Sequence, residues 1–270
     1  MRLLMAGVAA MCIASAATPM QTLLQVLPKE AADFSRCASQ LYTKETLIHR
    51  DPADGPEPRN LISEYTFVQT RDAAGAIREV RQMRELNGKP LKAASSLESI
   101  AQALSDGSEK QRRRQLERFE KLGIYGAATD LGQMLLMFSA ASLAGYEFRA
   151  TGDETSAEGT RMAAFSFTPI DTTDSKGPLV FAPGKQVGQK PRFKGTIWLR
   201  IFDWRLARIA MDSEAMDGRV QRLSVDYEPS DACPCVMPTV AKHKEVGADG
   251  AVLVENEYVY ERFRPLSEKK

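Results

Sequence analysis

Four cysteines, two histidines and plentiful carboxylates are the side chains in this 270-residue chain that could do chemistry. His49 and His243 lie far apart, belong to no HExxH pattern or other metal-spaced cluster, and each falls in a strand-like run, where a lone histidine reads as structural. No metal ligand is expected. Cys233-Pro234-Cys235 has the spacing of a redox or copper-binding pair, but no His or Met cluster accompanies it in the sequence. Asp212, Glu214 and Asp217 sit beside a turn, where solvated acids are ordinary. Paired-acid hydrolysis would need partners converging from distant strands. There is no GxSxG elbow, no GxxxxGK[ST] phosphate loop, and no GxGxxG between strand and helix. The expectation is a protein that is not an enzyme and carries no cofactor.

The first residues set the expected compartment. Arg2 is a one-residue basic start, Leu3 to Ile13 form a short apolar run, and Ala14-Ser15-Ala16 has the small-x-small pattern of a cleavage site. This is the plan of a secretory signal peptide over 1–17, cut near Ala16 or Ala17. Lipidation at Cys12 is disfavoured by Met11 and Ala9. The apolar run falls short of the roughly 20 residues that span a bilayer, so the mature chain is expected in the periplasm or outside the cell and not integral to the membrane. Removing Arg2 takes 36 basic residues to 35 against 35 acidic ones. A neutral chain lacks the basic footprint that nucleic acid requires. Export to an oxidising compartment favours one disulfide among the remaining three cysteines. It should join Cys37 to Cys233 or Cys235, since residues two apart on a strand point the same way without bridging geometry. One thiol is left over.

The chain that positions these groups centres on Phe193 to Tyr227. Ile197, Leu199 and Ile201 alternate with Trp198, Arg200 and Phe202, the period of a two-faced strand. Turns around Asp203-Trp204 and at Asp217-Gly218 make this stretch a three-strand antiparallel meander. Upstream, Pro19 to Phe34 suggests an amphipathic helix broken near Pro28. A strand over Cys37 to Arg50 ends at the turn-rich Asp51 to Pro56, and Leu61 to Gln69 with Ala76 to Leu86 reads as a hairpin. Ser95 and Glu98 form a capping box for a helix. Glu109 to Leu122 alternates charges at four-residue steps, so its Arg112-Arg113-Arg114 triplet reads as a solvated helix face. Thr129 or Asp130 can cap a further helix with Leu131, Met134, Leu135 and Phe138 on one face. That face suits core packing, or a Met-rich cavity lining. Tyr146 to Ala150 and Arg161 to Thr168 suggest another hairpin, Asp171 to Lys194 is irregular and locally basic, and Val236 to Val246 with Ala251 to Arg264 makes the last hairpin before a polar tail.

The run GTIWLRIFDWRLARI from Gly195 to Ile209 resembles the strand-turn-strand segment of the LolA/LolB lipoprotein-carrier superfamily, with Arg200 where such proteins often carry an acid. NGKPL from Asn87 to Leu91 and LGQMLLMF from Leu131 to Phe138 are similar to that superfamily's linking loop and buried helix. The resemblance implies an α+β fold over 18–270: a curved antiparallel sheet of about ten or eleven strands, an unclosed barrel wrapped around helices, with a helical insertion about 95–140. It also implies a hydrophobic cavity for a lipid or acyl chain, for which Met134, Leu135, Phe138, Trp198 and Phe202 are the candidate lining. The alternative is a filled-core module that contacts a protein partner, with the 171–194 loop as one contact.

Overall fold

The computed structural model describes residues 18–71, 77–92, 95–106, 109–126, 128–170, 180–181 and 192–269. The expected signal peptide of 1–17 and most of the expected 171–194 loop lie outside them. Helix α1 (Pro19–Cys37) is opened by a Thr18 capping box with Gln21 and buries Leu23, Leu27, Ala31 and Phe34 at helical spacing. Pro28 lies inside α1 and does not break it, contrary to the sequence expectation. An interior proline removes one backbone hydrogen bond, and the buried face on either side holds the helix through it. Because α1 runs to Cys37, the first strand begins later than expected.

The strands β1 (Leu41–Arg50), β2 (Arg59–Gln69), β3 (Ile77–Leu86) and the short β4 (Lys89–Pro90) are followed by the helices α2 (Leu97–Ser105) and α3 (Glu109–Lys121). Ser96, one residue after the predicted Ser95, caps α2. Then come β5 (Ala128–Thr129), β6 (Tyr146–Thr155), β7 (Arg161–Pro169), β8 (Val180–Phe181), β9 (Phe193–Arg200), β10 (Leu206–Ser213), β11 (Val220–Ser230), β12 (Cys233–Val246), β13 (Val252–Tyr260) and β14 (Arg264–Pro265). The main sheet has twelve strands in the order β4-β3-β2-β1-β13-β12-β11-β10-β9-β7-β6, with β14 beside β1, and every pair is antiparallel. Its ends, β4 and β6, do not pair, so the barrel stays open. Strands β5 and β8 form a separate two-stranded sheet, and the helices and helical turns complete the α+β architecture.

The central meander forms as its alternation requires. Asp217 and Gly218 take φ of 48° and 73°, and Met216 and Arg219 exchange backbone hydrogen bonds across them, which is how a tight hairpin matches strand twist. Trp204, at the earlier turn, also has a positive φ of 55°. The predicted Leu131–Phe138 helix is instead a 3₁₀ turn over Met134–Phe138. Thr129 has joined β5, and Asp130 sits at φ 67°, where it cannot start a helix. The C-terminal tail is tied down rather than loose: Lys269 pairs with Glu64 at 2.9 Å and Glu98 at 3.2 Å.

One face of the sheet packs against α1, α3 and the Met134–Phe138 turn in a continuous core holding Phe34, Tyr65, Phe67, Phe119, Phe138, Phe165 and Phe167. Val80 alternates with Glu79 and Arg81, so it leaves by the other face. There it meets Leu97 and Leu104 of α2 in a second, small cluster. No described helix is long and apolar enough to cross a membrane.

Candidate functional site

The five residues predicted to line one cavity are divided between the two sides of the sheet. Met134, Leu135 and Phe138 lie inside, 0%, 1% and 0% exposed. Phe138 is ringed by Phe167 at 5.0 Å, Tyr146 at 5.2 Å and Phe148 at 6.0 Å between centroids. Trp198 is elsewhere. Its neighbours Ile197 and Leu199 are buried, and the period-two alternation turns Trp198 to the outer face. There its Nε1 donates to Glu154 at 2.9 Å and the Arg208 guanidinium sits 5.6 Å over its ring. Phe202 is 76% exposed in the β9–β10 turn, capped by Arg200. The alternation of this strand was legible, but which parity faces inward depends on where the strand lies in the sheet.

The interior holds a charged cluster that sequence reasoning missed. Arg81, 1% exposed, donates from Nε and Nη2 to both carboxylate oxygens of Glu45 at 2.7–2.9 Å, and its Nη1 lies 2.6 Å from Glu79. The rings of Tyr65 and Tyr258 flank the guanidinium at 4.9 and 5.3 Å. Burial pushes the Glu45 carboxyl up against the pull of Arg81, and Arg81 stays charged because Glu45 and Glu79 outweigh its own desolvation. Glu79 in turn accepts from the backbone N–H of Asp130 (2.8 Å) and Gly132 (2.6 Å). Gly132 is a necessary glycine here, since a Cβ would lie 2.7 Å from the Tyr65 hydroxyl. Tyr227 completes the tie, its hydroxyl accepting from the Leu135 N–H at 3.2 Å and donating to the Gly132 carbonyl at 3.4 Å. The cluster thus seats the 130–138 segment on the sheet. Its sequence trace was Glu45, Glu79 and Arg81 on the apolar parity of their strands.

A second polar row crosses four strands. His49 Nδ1 donates to Asn256 Oδ1 at 2.8 Å, Asn256 Nδ2 donates to the Tyr125 carbonyl and to His243 Nδ1, and His243 Nε2 donates to Gln221 Oε1 at 2.6 Å. Burial depresses both histidines, His243 to about 3, and each ring is neutral at pH 7. Both rings are held in this polar row, and His49 also lies among acids of the following turn.

The cysteines come together at the end of α1. The Cys233 sulfur is within bonding distance of both Cys37 and Cys235, with Cα separations of 6.1 and 5.3 Å, inside the usual disulfide range. One sulfur makes one disulfide, so the group can hold one bridge at a time, with one thiol left over. The exclusion of a Cys233–Cys235 bridge by strand geometry does not hold. The chain enters β12 beside a register shift at Pro229/Ser230, which shortens that spacing. Met237 also lies beside Cys235, sulfur to sulfur at 3.7 Å, a neighbour that a search for clusters in sequence passed over.

No family model and no curated protein matches the chain. Among solved structures it is similar to a DUF1329 family protein from Desulfovibrio piger, at 10% identity and TM-score 0.38 over 91% of this chain and 94% of that one. It is also similar to a LolA superfamily protein from Nitrosomonas europaea, at 14% identity and TM-score 0.37 over 91% and 96%. A likeness of this size assigns neither an activity nor a ligand.

Proposed function

We propose that this chain is a non-enzymatic binding module of the periplasm or cell exterior. Its curved sheet is filled by its own residues, and it meets partners through its rim and outer face. One observation carries this reading: the space inside the sheet that would hold a lipid is taken up by Met134, Leu135 and Phe138. The leader-like 1–17 stretch supports the compartment. Protein purified from its host should show no co-purifying lipid by native mass spectrometry and no uptake of a fluorescent fatty acid. One equivalent of bound lipid would overturn the reading.

The second reading is a carrier of an acyl chain or other apolar ligand, for which the 134–138 segment acts as a displaceable plug. What favours it is the composition of the plug, which includes Met134 and Met137, and its reliance on the Tyr227 hydroxyl for a tie to the sheet. Methionine adapts to irregular shapes. On this reading Tyr227→Phe loosens the plug and raises fatty-acid uptake above wild type; equal, negligible uptake by both proteins argues for the filled module.

A further inference from the structure

The polar row that ends at His49 leaves one nitrogen unused. Asn256 Oδ1 can only accept, so the proton of the neutral His49 ring is on Nδ1, and Nε2 carries a lone pair. The preceding links fix this direction. Asn256 Nδ2 donates to His243 Nδ1, which forces the His243 proton onto Nε2 toward Gln221. His49 is 1% exposed and its Nε2 has no hydrogen-bond partner among the described residues, an arrangement that costs free energy unless something accepts the lone pair. His49 lines a polar pocket of about 210 Å³ with Asp51, Asp54, Glu57, Pro58, Arg59 and Asn87. A His49 ring nitrogen and the carboxylate oxygens of Asp51 and Asp54 all lie within 4.8 Å of one another.

We propose that this pocket is a binding site for a divalent transition cation of the zinc class, ligated by His49 Nε2, Asp51 and Asp54. One imidazole with two carboxylates suits zinc-like ions better than magnesium or calcium, which prefer all-oxygen shells. The site has the supporting shell that metal-bound imidazoles usually show, because Asn256 receives the Nδ1–H and fixes both tautomer and ring plane. Its acids are placed locally: Asp51 caps the 3₁₀ turn Pro52–Asp54 by accepting from the Ala53 N–H at 2.8 Å, which leaves its second oxygen available to a metal. Arg59 opposes the cation. Its Nη1 donates to Asp54 at 2.7 Å and also to the Gly123 carbonyl, so binding exchanges an ion pair at Asp54 for a metal bond. Glu57, also in the lining, keeps the pocket net negative with Arg59 counted. The local pattern is His-x-Asp-x-x-Asp from His49 to Asp54.

The test is titration of the purified full-length chain with zinc in competition with a chromophoric chelator, and millimolar magnesium as the background. The expected result is one equivalent bound, weakened at least about tenfold in Asp54→Asn and in His49→Gln, with no competition from magnesium. Asp54→Asn changes an exposed residue, so it remains informative if His49→Gln fails to fold. Nitrogen-15 NMR of the His49 ring adds a readout specific to the ligand atom: Nε2 should shift on zinc addition while Nδ1 stays protonated. Zinc retention that is unaffected by Asp54→Asn but lost in Cys37→Ser assigns the metal to the thiols and overturns the proposal. So does the absence of zinc binding, or displacement by magnesium.

Discussion

Arg81 is the residue on which the interior depends most. It is the cation shared by two carboxylates that are themselves wholly buried, and removing one partner of a buried pair leaves an uncompensated charge. Arg81→Met should therefore destabilise the protein by about 3–5 kcal/mol, read as a shift in urea midpoint, and adding Glu45→Gln should recover part of the loss. A neutral result for Arg81→Met would mean the carboxylates reach water. His243 makes a prediction of opposite chemistry. Its folded value is depressed to about 3 by burial, with a smaller contribution from His49, against about 6.5 in the unfolded chain. Below about pH 6.5 the unfolded state binds the proton and the folded state does not, so stability is full above that pH and falls as acid is added. Between pH 7 and pH 5 His243 alone should remove roughly 2 kcal/mol; an unchanged urea midpoint over that interval would contradict a neutral buried ring.

At the scale of elements, two junctions are sensitive. Strands β9 and β10 approach so closely at Gly195 that an added Cβ would fall 2.0 Å from the Ala210 carbonyl oxygen, on the backbone of the neighbouring strand. A backbone obstacle cannot rotate away, so Gly195→Ala should cost about 2 kcal/mol or more and shift thermal unfolding downward. The other junction is between α1 and β12. Glu30 is buried under the Arg205 guanidinium and accepts from the Val236 N–H at 3.2 Å, and seven residues further on Cys37 reaches Cys233. A bridge from Cys37 to β12 closes nearly the whole chain, worth roughly 5 kcal/mol by loop entropy. Cys37→Ser should lose much of that, while Cys235→Ser should stay within about 1 kcal/mol of wild type. Equal losses from the two variants would show that Cys235, not Cys233, is the partner on which the bridge from Cys37 depends.

For the molecule as a whole, the open sheet and its filling decide between module and carrier. Helices α1 and α3 and the 134–138 turn occupy the inner face, α2 covers part of the outer face over β2 and β3, and Trp198 and Phe202 remain on the outside. If the outer face is the working surface, Trp198→Ala should leave the melting temperature within a few degrees of wild type, because a surface change away from buried features costs little. A large drop would place that ring in the core.

Local chemistry determined much of this in advance. Alternation, positive-φ turn pairs and capping residues each act over a few neighbours, which is why the meander, the Asp217-Gly218 hairpin, α3 and the long antiparallel order could be read directly. Alternation also offers two faces without saying which is inner, so Trp198 was assigned to the wrong side of the sheet from Met134. Only the tertiary arrangement put Arg81 between Glu45 and Glu79, lined His49, Asn256, His243 and Gln221 across four strands, and gathered three sulfurs from 196 residues of separation. Such clusters are set by strand order and register. These depend on all the contacts of the sheet together, and no short stretch of sequence contains them.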